Sequence, residues 1–259
     1  MPSSLSSIDA MIAAARTHGT MNRVIYDILT TVTTAGSLTS GAIGMQRMPS
    51  PLVIPAMGAG VTGCYPVVFD MVTEDANTIM VAALEYTLGS LAVGTGVFTA
   101  GVSMPTKTVE GEAILTASIE PMLVVRTSIT GATTPLITIT YTNQDGVTGR
   151  TAQLTLPTNP VIHGAYRISP HFQSGDTGMR AVTGMTKSVG SGGVLDVMGL
   201  LLIHTTTAHA SAGSMHSVPP LSEPTIMWKL TTGERIALYR TGALGGAIVG
   251  HVVLLPETE

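Results

Sequence analysis

The sequence predicts a mainly β protein, in which a β-sandwich or jelly-roll-like body follows a short helical N-terminal arm. The clearest evidence lies at residues 135–156, where residues 136–141 alternate isoleucine with threonine and residues 151–156 resume the alternation. A period of two is typical of a strand with one buried and one solvated face. Residues 143–146 between the two runs include Asn, Asp and Gly, which tolerate the positive φ of tight turns. We therefore expect a β-hairpin here.

A regular succession of short strands and turns is the second observation. Gly, Pro and Asn interrupt apolar runs from residue 64 onward, at a spacing of about 8 to 15 residues that is typical of a sandwich, jelly roll or barrel. The predicted strands are 65–72, 77–86, 95–101, 112–118, 121–128, 135–142, 150–156, 164–169, 178–186, 194–204, 225–231, 235–241 and 246–254.

The third observation is a shortage of charge. Only 11% of the 259 residues are charged and 4% are aromatic, whereas globular domains carry roughly 25% charged residues. A monomer needs a charged surface for solubility, so we expect much of this surface to be covered by other copies. An ordinary β protein with a Thr/Ser-rich surface is the alternative. The net charge of −4, with Lys and Arg scattered singly, provides no field that would attract nucleic acid.

The N-terminal region is the one place where the sequence predicts helices. Ser6 or Ser7 would cap a helix over residues 8–16, and apolar residues at 21, 24, 25, 28 and 29 form a helical stripe. Such an arm would either pack on the body or dock on a neighbouring subunit.

A Thr/Gly/Ser/Pro-rich stretch at residues 31–63 then predicts a linker or extended arm, because proline is excluded from helix interiors. The predicted domains are an arm over residues 1–50 and a body over residues 51–259, with a division of the body near residue 130 left open.

The C-terminal third predicts a second hairpin and a long loop. Residues 226–230 and 235–240 flank a turn at 231–233, with Trp228, Leu230, Ile236 and Leu238 on an inward face. Residues 204–220, rich in His, Ser, Thr, Ala and Pro, predict the loop.

Membrane insertion is not expected. The start of the chain lacks the basic region of a signal peptide. The uncharged stretches 48–69, 86–106 and 197–222 each contain Gly, Thr, Ser or Pro, and none offers about 20 predominantly apolar residues.

Two glycine-rich stretches were tested as phosphate-binding loops. Residues 58–63 have the spacing GxGxxG, which binds a dinucleotide only when a helix begins on the glycines. Pro66 and the β-branched residues that follow predict a strand instead. Residues 188–193 lack the GK[ST] ending of a P-loop and predict a turn between two strands. Neither stretch predicts a cofactor.

The histidines provide a weak case for a metal site. His204, His209 and His216 lie close in sequence, but they lack Cys or carboxylate partners and the i/i+4 or i/i+2 spacing of metal ligands, and Glu223 is the nearest acid. A solvated or interface loop is the favoured interpretation. The single cysteine, Cys64, excludes a disulfide framework within the chain and is expected to be a small buried residue. With no GxSxG motif and no paired carboxylates, we predict neither catalytic nor metal-binding residues and no enzyme activity.

Residues 175–178 predict a turn in which the Asp176 side chain bonds to the backbone. Arg180 would either reach back to Asp176 or pair across an interface, and we expect this pair to be structural.

Two motifs of this region resemble a known group of proteins. The runs Ile-Thr-Ile-Thr-Tyr-Thr-Asn-Gln-Asp-Gly-Val-Thr-Gly-Arg at 137–150 and Gly-Asp-Thr-Gly-Met-Arg-Ala-Val at 175–182 resemble segments of structural proteins of tailed bacteriophage particles. Those proteins carry a TYTNQ-G-GR strand–turn and a GDTG-RSV turn–strand. Met179 and Ala181 replace the Val and Ser of the second motif, and the N-terminal half of the chain has no such likeness.

The resemblance implies a virion protein that decorates or cements a capsid, or a component of the collar or tail. Its location would be the virion, assembled in the cytoplasm of the bacterial host. Its partners would be other copies in closed cyclic symmetry and virion proteins such as the major capsid protein, with no nucleic acid and no membrane. A carbohydrate-binding module that recognises the host is a second interpretation, which the single tryptophan argues against. An enzyme using His204, His209 and His216 is a third.

Overall fold

A computed structural model of the chain describes residues 24–30, 44–47, 51–54, 56, 60–73, 80–104, 108–109, 112–113, 119–131, 134–158, 160, 162–205, 215–218, 229–240 and 248–258. The predicted fold class is confirmed, because the described residues form antiparallel sheets. No helix in these ranges is long and apolar enough to cross a membrane.

The strands are β1 (Val24–Thr30), β2 (Gly44–Arg47), β3 (Leu52–Val53), β4 (Val61–Thr73), β5 (Met80–Ala92), β6 (Val97–Ala100), β7 (Thr108–Val109), β8 (Glu112–Ala113), β9 (Ile119–Thr127), β10 (Leu136–Asn143), β11 (Arg150–Thr155), β12 (Gly164–Arg167), β13 (Met179–Lys187), β14 (Val194–Thr205), β15 (Met215–Val218), β16 (Arg235–Arg240) and β17 (Ile248–Thr258). A short 3-10 turn, Ser169–His171, follows β12.

Six of these strands form a closed sheet. Their order is β5-β14-β9-β12-β2-β16, and β16 pairs again with β5, so that each strand has a neighbour on both sides. Strands β3 and β6 extend the sheet beside β16 and β5. Residues of five of these strands form a separate buried cluster inside the ring, against which Met45 of β2 packs, and several members of the cluster are alanines, which suit a narrow interior. This cluster contains Ala83, Met122, Val124, Ala165, Met198, Leu200, Ala237 and Tyr239.

A three-stranded sheet, β11-β10-β13, packs on the outside of the closed sheet. Its apolar face shares one core with outward-facing residues of the ring, including Leu88 and Leu91. The two layers approach closely at Gly89, where a Cβ atom would lie 2.8 Å from the Phe98 ring and 3.2 Å from Val182. Glycine at this position therefore allows the two layers to meet, and the result is sandwich-like. A four-stranded sheet, β1-β17-β4-β15, adds Leu254 and Cys64 to the same core.

The first predicted hairpin is confirmed. Strands β10 and β11 pair antiparallel from Leu136 opposite Thr155 to Tyr141 opposite Arg150. Burial alternates along β10 as the sequence pattern predicts, with every second residue fully buried. The Asn143 side-chain oxygen accepts hydrogen bonds from the backbone of Asp145 and Val147, which fixes the turn.

The second predicted helix is wrong over Val24–Thr30, which form strand β1 and pair with β17. An apolar stripe over so short a run fits either period, and β-branched Val24, Ile25 and Ile28 favour a strand when a partner is present. Residues 1–23, with the first predicted helix, lie outside the described residues.

Three other segments differ from the sequence prediction. Strands β2 and β3 lie in the predicted linker, and β15 lies in the predicted loop at 204–220. These strands are two to four residues long, which is too short for alternation to stand out from a Thr/Gly/Pro-rich background.

The C-terminal prediction is confirmed in its strand but not in its pairing. Strand β16 pairs with β5, β2 and β3, whereas Leu230 pairs with Cys64. Leu230, Ile236 and Leu238 are buried in the shared core, as expected. Trp228 lies outside the described residues.

Candidate functional site

Among the described residues, the first glycine-rich stretch consists of Gly60 and the start of a strand, and the second connects two strands. Gly60 has φ +80°, and strand β4 follows it directly, so the predicted strand after the GxGxxG run is confirmed. Residues 188–193 connect β13 to β14, with Gly190, Gly192 and Gly193 at positive φ. The chain therefore does not present a helix N-terminus at either stretch.

The histidines singled out by sequence are dispersed. His204 lies on β14 of the closed sheet, His216 lies on β15 of the four-stranded sheet, and His209 lies outside the described residues with Glu223. Within the described ranges, no three His, Cys, Asp or Glu side chains are arranged to hold a metal ion. Cys64 is buried as predicted, and burial, together with the charge of Glu234, raises the pKa of its thiol to about 11.

The two motifs at residues 137–150 and 175–182 meet at Asp176. Its carboxylate accepts hydrogen bonds from the hydroxyl of Tyr141 at 2.6 Å, from the amide of Asn143 at 2.8 Å and from Nε of Arg150 at 2.8 Å. These donors lie on β10 and β11, whereas Asp176 lies in the loop before β13. We call these four residues the Asp176 cluster.

Neighbouring residues hold the loop against the hairpin. The Gln144 side-chain oxygen accepts hydrogen bonds from the backbone of Thr177 and Gly178, and Gln173 donates to the Thr151 hydroxyl. The motif residues thus bind one another, so this region locks the hairpin to the loop and gives β13 a fixed start.

The electrostatics of the cluster favour ionised Asp176. Burial alone would raise the pKa of this carboxyl group, but hydrogen bonds from Arg150, Asn143 and Tyr141 outweigh burial and lower the pKa to about 2. Burial and the bond to Asp176 raise the pKa of Tyr141 to about 12. The cluster therefore keeps its charge pattern across the physiological pH range.

Of the two roles predicted for Arg180, the reach back to Asp176 is not found among the described bonds, and pairing across an interface stays a prediction. The described bonds of the carboxylate come from Arg150, Asn143 and Tyr141, while the side chain of Arg180 is exposed on β13. Arg180 and Asp176 are close in sequence, but Arg150 reaches the carboxylate across the hairpin, which adjacency in sequence does not reveal.

A second buried cluster lies inside the closed sheet. Nε and Nη2 of Arg47 donate to the two carboxylate oxygens of Glu85 at 2.7 and 2.8 Å, and the Tyr239 hydroxyl donates to the same carboxylate at 3.0 Å. The side chains of Arg47 and Glu85 are only 3% and 0% exposed. Burial raises the pKa of Tyr239 well above its ordinary value, so the phenol remains a donor. We call these residues the Glu85 cluster, which the sequence did not predict.

Two more ion pairs lie on other strands of the closed sheet, namely β9, β12 and β14. Arg126 bonds to Asp196 at 2.7 Å, and Ser90 donates to the same carboxylate. Arg167 pairs with Glu120 at 3.0 Å near the surface. Both clusters and both pairs consist of groups that neutralise one another, which suits a structural role.

His163 borders the Glu85 cluster. It adopts φ +64°, its carbonyl accepts the Arg47 N–H, and its own N–H binds the carbonyl of Val125. Burial, together with the nearby charges of Arg47 and Arg126, lowers the pKa of its imidazole. His163 therefore connects β12 to its neighbours through the backbone and remains neutral.

An exposed surface without charge lies at one end of the sheets. It comprises residues 94–103, 130–131 and 188–192, and we call it the uncharged rim. Backbone hydrogen bonds join its three parts, from Val93 to Gly193 and in both directions between Thr130 and Ser191. Lys187 borders the rim, and its ammonium group donates to the carbonyl of Gly190.

The rim also carries most of the exposed apolar residues. Among the described residues, the large hydrophobic side chains that are exposed are Val53, Val97, Val102, Val147 and Val189. Val97, Val102 and Val189 belong to the rim, where Val97 is 57% exposed and Val102 is 56% exposed. The sequence signal was the uncharged stretch 86–106, although its surface position became evident only from the fold.

Comparison with known proteins identifies no family. No protein-family model matches the chain, and no curated protein matches it. Among solved structures, it is similar at 10% identity to a chain of "Structure of infectious bursal disease virus Gx strain", over 92% of this chain and 80% of that one, with a TM-score of 0.20. A TM-score this low lies below the level at which two structures share a fold, so function must be argued from the residues of the chain itself.

Proposed function

We propose that the protein is a structural subunit of a bacteriophage particle, which it stabilises or decorates through contacts between many copies and with other virion proteins. The observation that carries this proposal is the uncharged rim with its three exposed valines. An exposed apolar surface that contains no charged residue is a mark of protein–protein contact. A collar or tail component would use the same surface in the same way.

The interior of the molecule supports a mechanical role. Each charge of the Asp176 and Glu85 clusters is bound by groups of the same chain, so these charges rigidify the sheets. A rigid scaffold loses little conformational entropy when copies associate. We accordingly propose that the protein is not an enzyme.

A carbohydrate-binding role receives less support. Such a surface would be expected to carry exposed aromatic side chains, whereas the large exposed hydrophobic residues in the described part of the chain are valines.

The proposal is tested by measuring the mass of the purified protein in solution over a range of concentrations, by light scattering after size exclusion. We expect a discrete oligomer, and a monomer of 26.7 kDa at every concentration would overturn the proposal. Immunogold labelling of intact phage particles that encode the chain is expected to decorate the capsid, collar or tail. Absence of label from the particles would contradict a virion location.

A further inference from the structure

We propose that strand β6 pairs antiparallel with β6 of a second copy about a two-fold axis, an inference that rests on the proposed function and names its first contact. Strand β6 is the last strand of its sheet. It pairs with β5 from Ala92 opposite Val97 to Gly89 opposite Ala100, and within the described residues its other edge has no strand beside it. That edge is therefore open to pairing.

The other edge strands carry features that discourage such pairing. Proteins protect exposed edges with charged residues or proline. Strand β3 is flanked by Pro51 and Pro55, and β15 is followed in sequence by Pro219 and Pro220.

Charges protect the remaining edges. Strand β1 contains Asp27, β7 lies between Lys107 and Glu110 in sequence, β8 contains Glu112, β11 contains Arg150, and β13 contains Arg180 and Lys187. By contrast, residues 93–104 around β6 include neither a charged residue nor a proline. Strand β6 is thus the edge on which these protective features are missing.

The composition of the β6 edge favours pairing with a second copy of the same chain. In a two-fold antiparallel pair each strand meets its own sequence, so any charge on the edge would face or flank the same charge. The lack of charge in residues 93–104 removes that repulsion. Val97 and Val102 at the two ends of the segment would lose exposed surface on pairing, which is favourable.

The contact is small, and its size sets the expected strength. A strand of four residues spans about 13 Å, so one pairing gives a weak dimer that strengthens when many copies are held together. We therefore expect dimerisation at high protein concentration and dissociation on dilution.

The first experiment places cysteine on the strand. Directly opposite residues have Cβ atoms about 4.5–5.5 Å apart, so a residue near the two-fold axis lies beside its own copy. Thr99→Cys is expected to form a disulfide-linked dimer under mild oxidation, while Gln153→Cys, at an exposed position of the β11 edge, serves as the control and remains monomeric on a non-reducing gel. Cys64 is buried and stays in place. Equal cross-linking of both variants would overturn the pairing.

The second experiment places a charge on the edge. Val97→Lys is expected to weaken dimerisation at least tenfold, because each copy then brings the same positive charge into a contact only about four residues long. Val147→Lys introduces the same change at a valine of similar exposure, 52% against 57%, in the turn between β10 and β11, and is expected to leave the mass distribution unchanged. Circular dichroism checks that both variants fold.

The outcomes separate this inference from the proposed function. If wild type and Val97→Lys form the same oligomers, the β6 contact is wrong while a multi-copy subunit remains supported. If wild type is monomeric at all concentrations, both are overturned. If wild type and Val97→Lys form the same oligomers but the substitution abolishes binding to the major capsid protein, the occupant of the edge is a different chain and the self-pairing proposed here is wrong.

Discussion

The Glu85 and Asp176 clusters each stabilise a buried carboxylate, but they do so with different sets of hydrogen-bond donors. Glu85 relies on one fully buried arginine that binds both of its oxygens. Asp176 combines an arginine that remains 28% exposed with two neutral donors, Tyr141 and Asn143. The first carboxylate binds a buried arginine and the Tyr239 hydroxyl deep inside the closed sheet, whereas the second binds a partly exposed arginine and two neutral donors near the surface. Loss of one group should therefore cost far more in the first cluster.

The largest expected effect comes from Glu85→Gln. This change removes the charge of the carboxylate that binds the buried Arg47, and breaking a buried ion pair from one side costs about 3–5 kcal/mol. Urea unfolding followed by circular dichroism measures the loss. The double variant Arg47→Met/Glu85→Leu removes both charges and is expected to recover most of the stability. A double variant as unstable as Glu85→Gln would show that the interior depends on the ion pair itself.

Asp176→Asn is expected to have a smaller effect. The pKa of this group is lowered from 3.8 to about 2, and with allowance for solvent near Arg150 the charge contributes about 1–2 kcal/mol at neutral pH. Since the folded pKa is depressed, this stability is present above about pH 4 and is lost as the pH falls towards 2. Urea unfolding at pH 7 and at pH 2 should show the difference between wild type and variant shrinking. A constant difference would mean that the Asp176 charge is not its source.

Arg150→Ala and Arg180→Ala compare an arginine that belongs to the Asp176 cluster with an arginine that does not. Arg150 donates to Asp176 and to the carbonyl of Ser174, so its loss should also shift the acid unfolding midpoint to higher pH. Arg180 is exposed, and its loss should change stability by less than about 0.5 kcal/mol without moving that midpoint. Equal midpoints for the two variants would contradict the assignment of Arg150 as the partner of Asp176.

A comparison of the two clusters also shows which contacts the sequence patterns can predict and which they cannot. The Asp176 cluster lies within residues 141–176, on one hairpin and the loop before β13, so local patterns predicted its strands and turns, although they indicated Arg180 and not Arg150 as a partner for Asp176. The members of the Glu85 cluster are 38 and 154 residues apart in sequence. Arg47 lies in a four-residue strand within a proline-rich stretch, and closure of the ring alone brings it to Glu85. Alternation indicates a strand but does not identify its neighbours, which is why β16 was assigned the wrong partner and β1 the wrong period.

Closure of the six-stranded sheet limits the number of other chains that one molecule can bind by strand pairing. Strands within the ring have neighbours on both sides, so they offer few places for another chain to add. If β6 is the one unprotected edge, a two-fold pair uses the edges of both copies, and growth by strand pairing stops at two. A shell or ring built from this protein would then be made of dimers, and its further growth would depend on side-chain contacts that can be varied without disturbing the sheets.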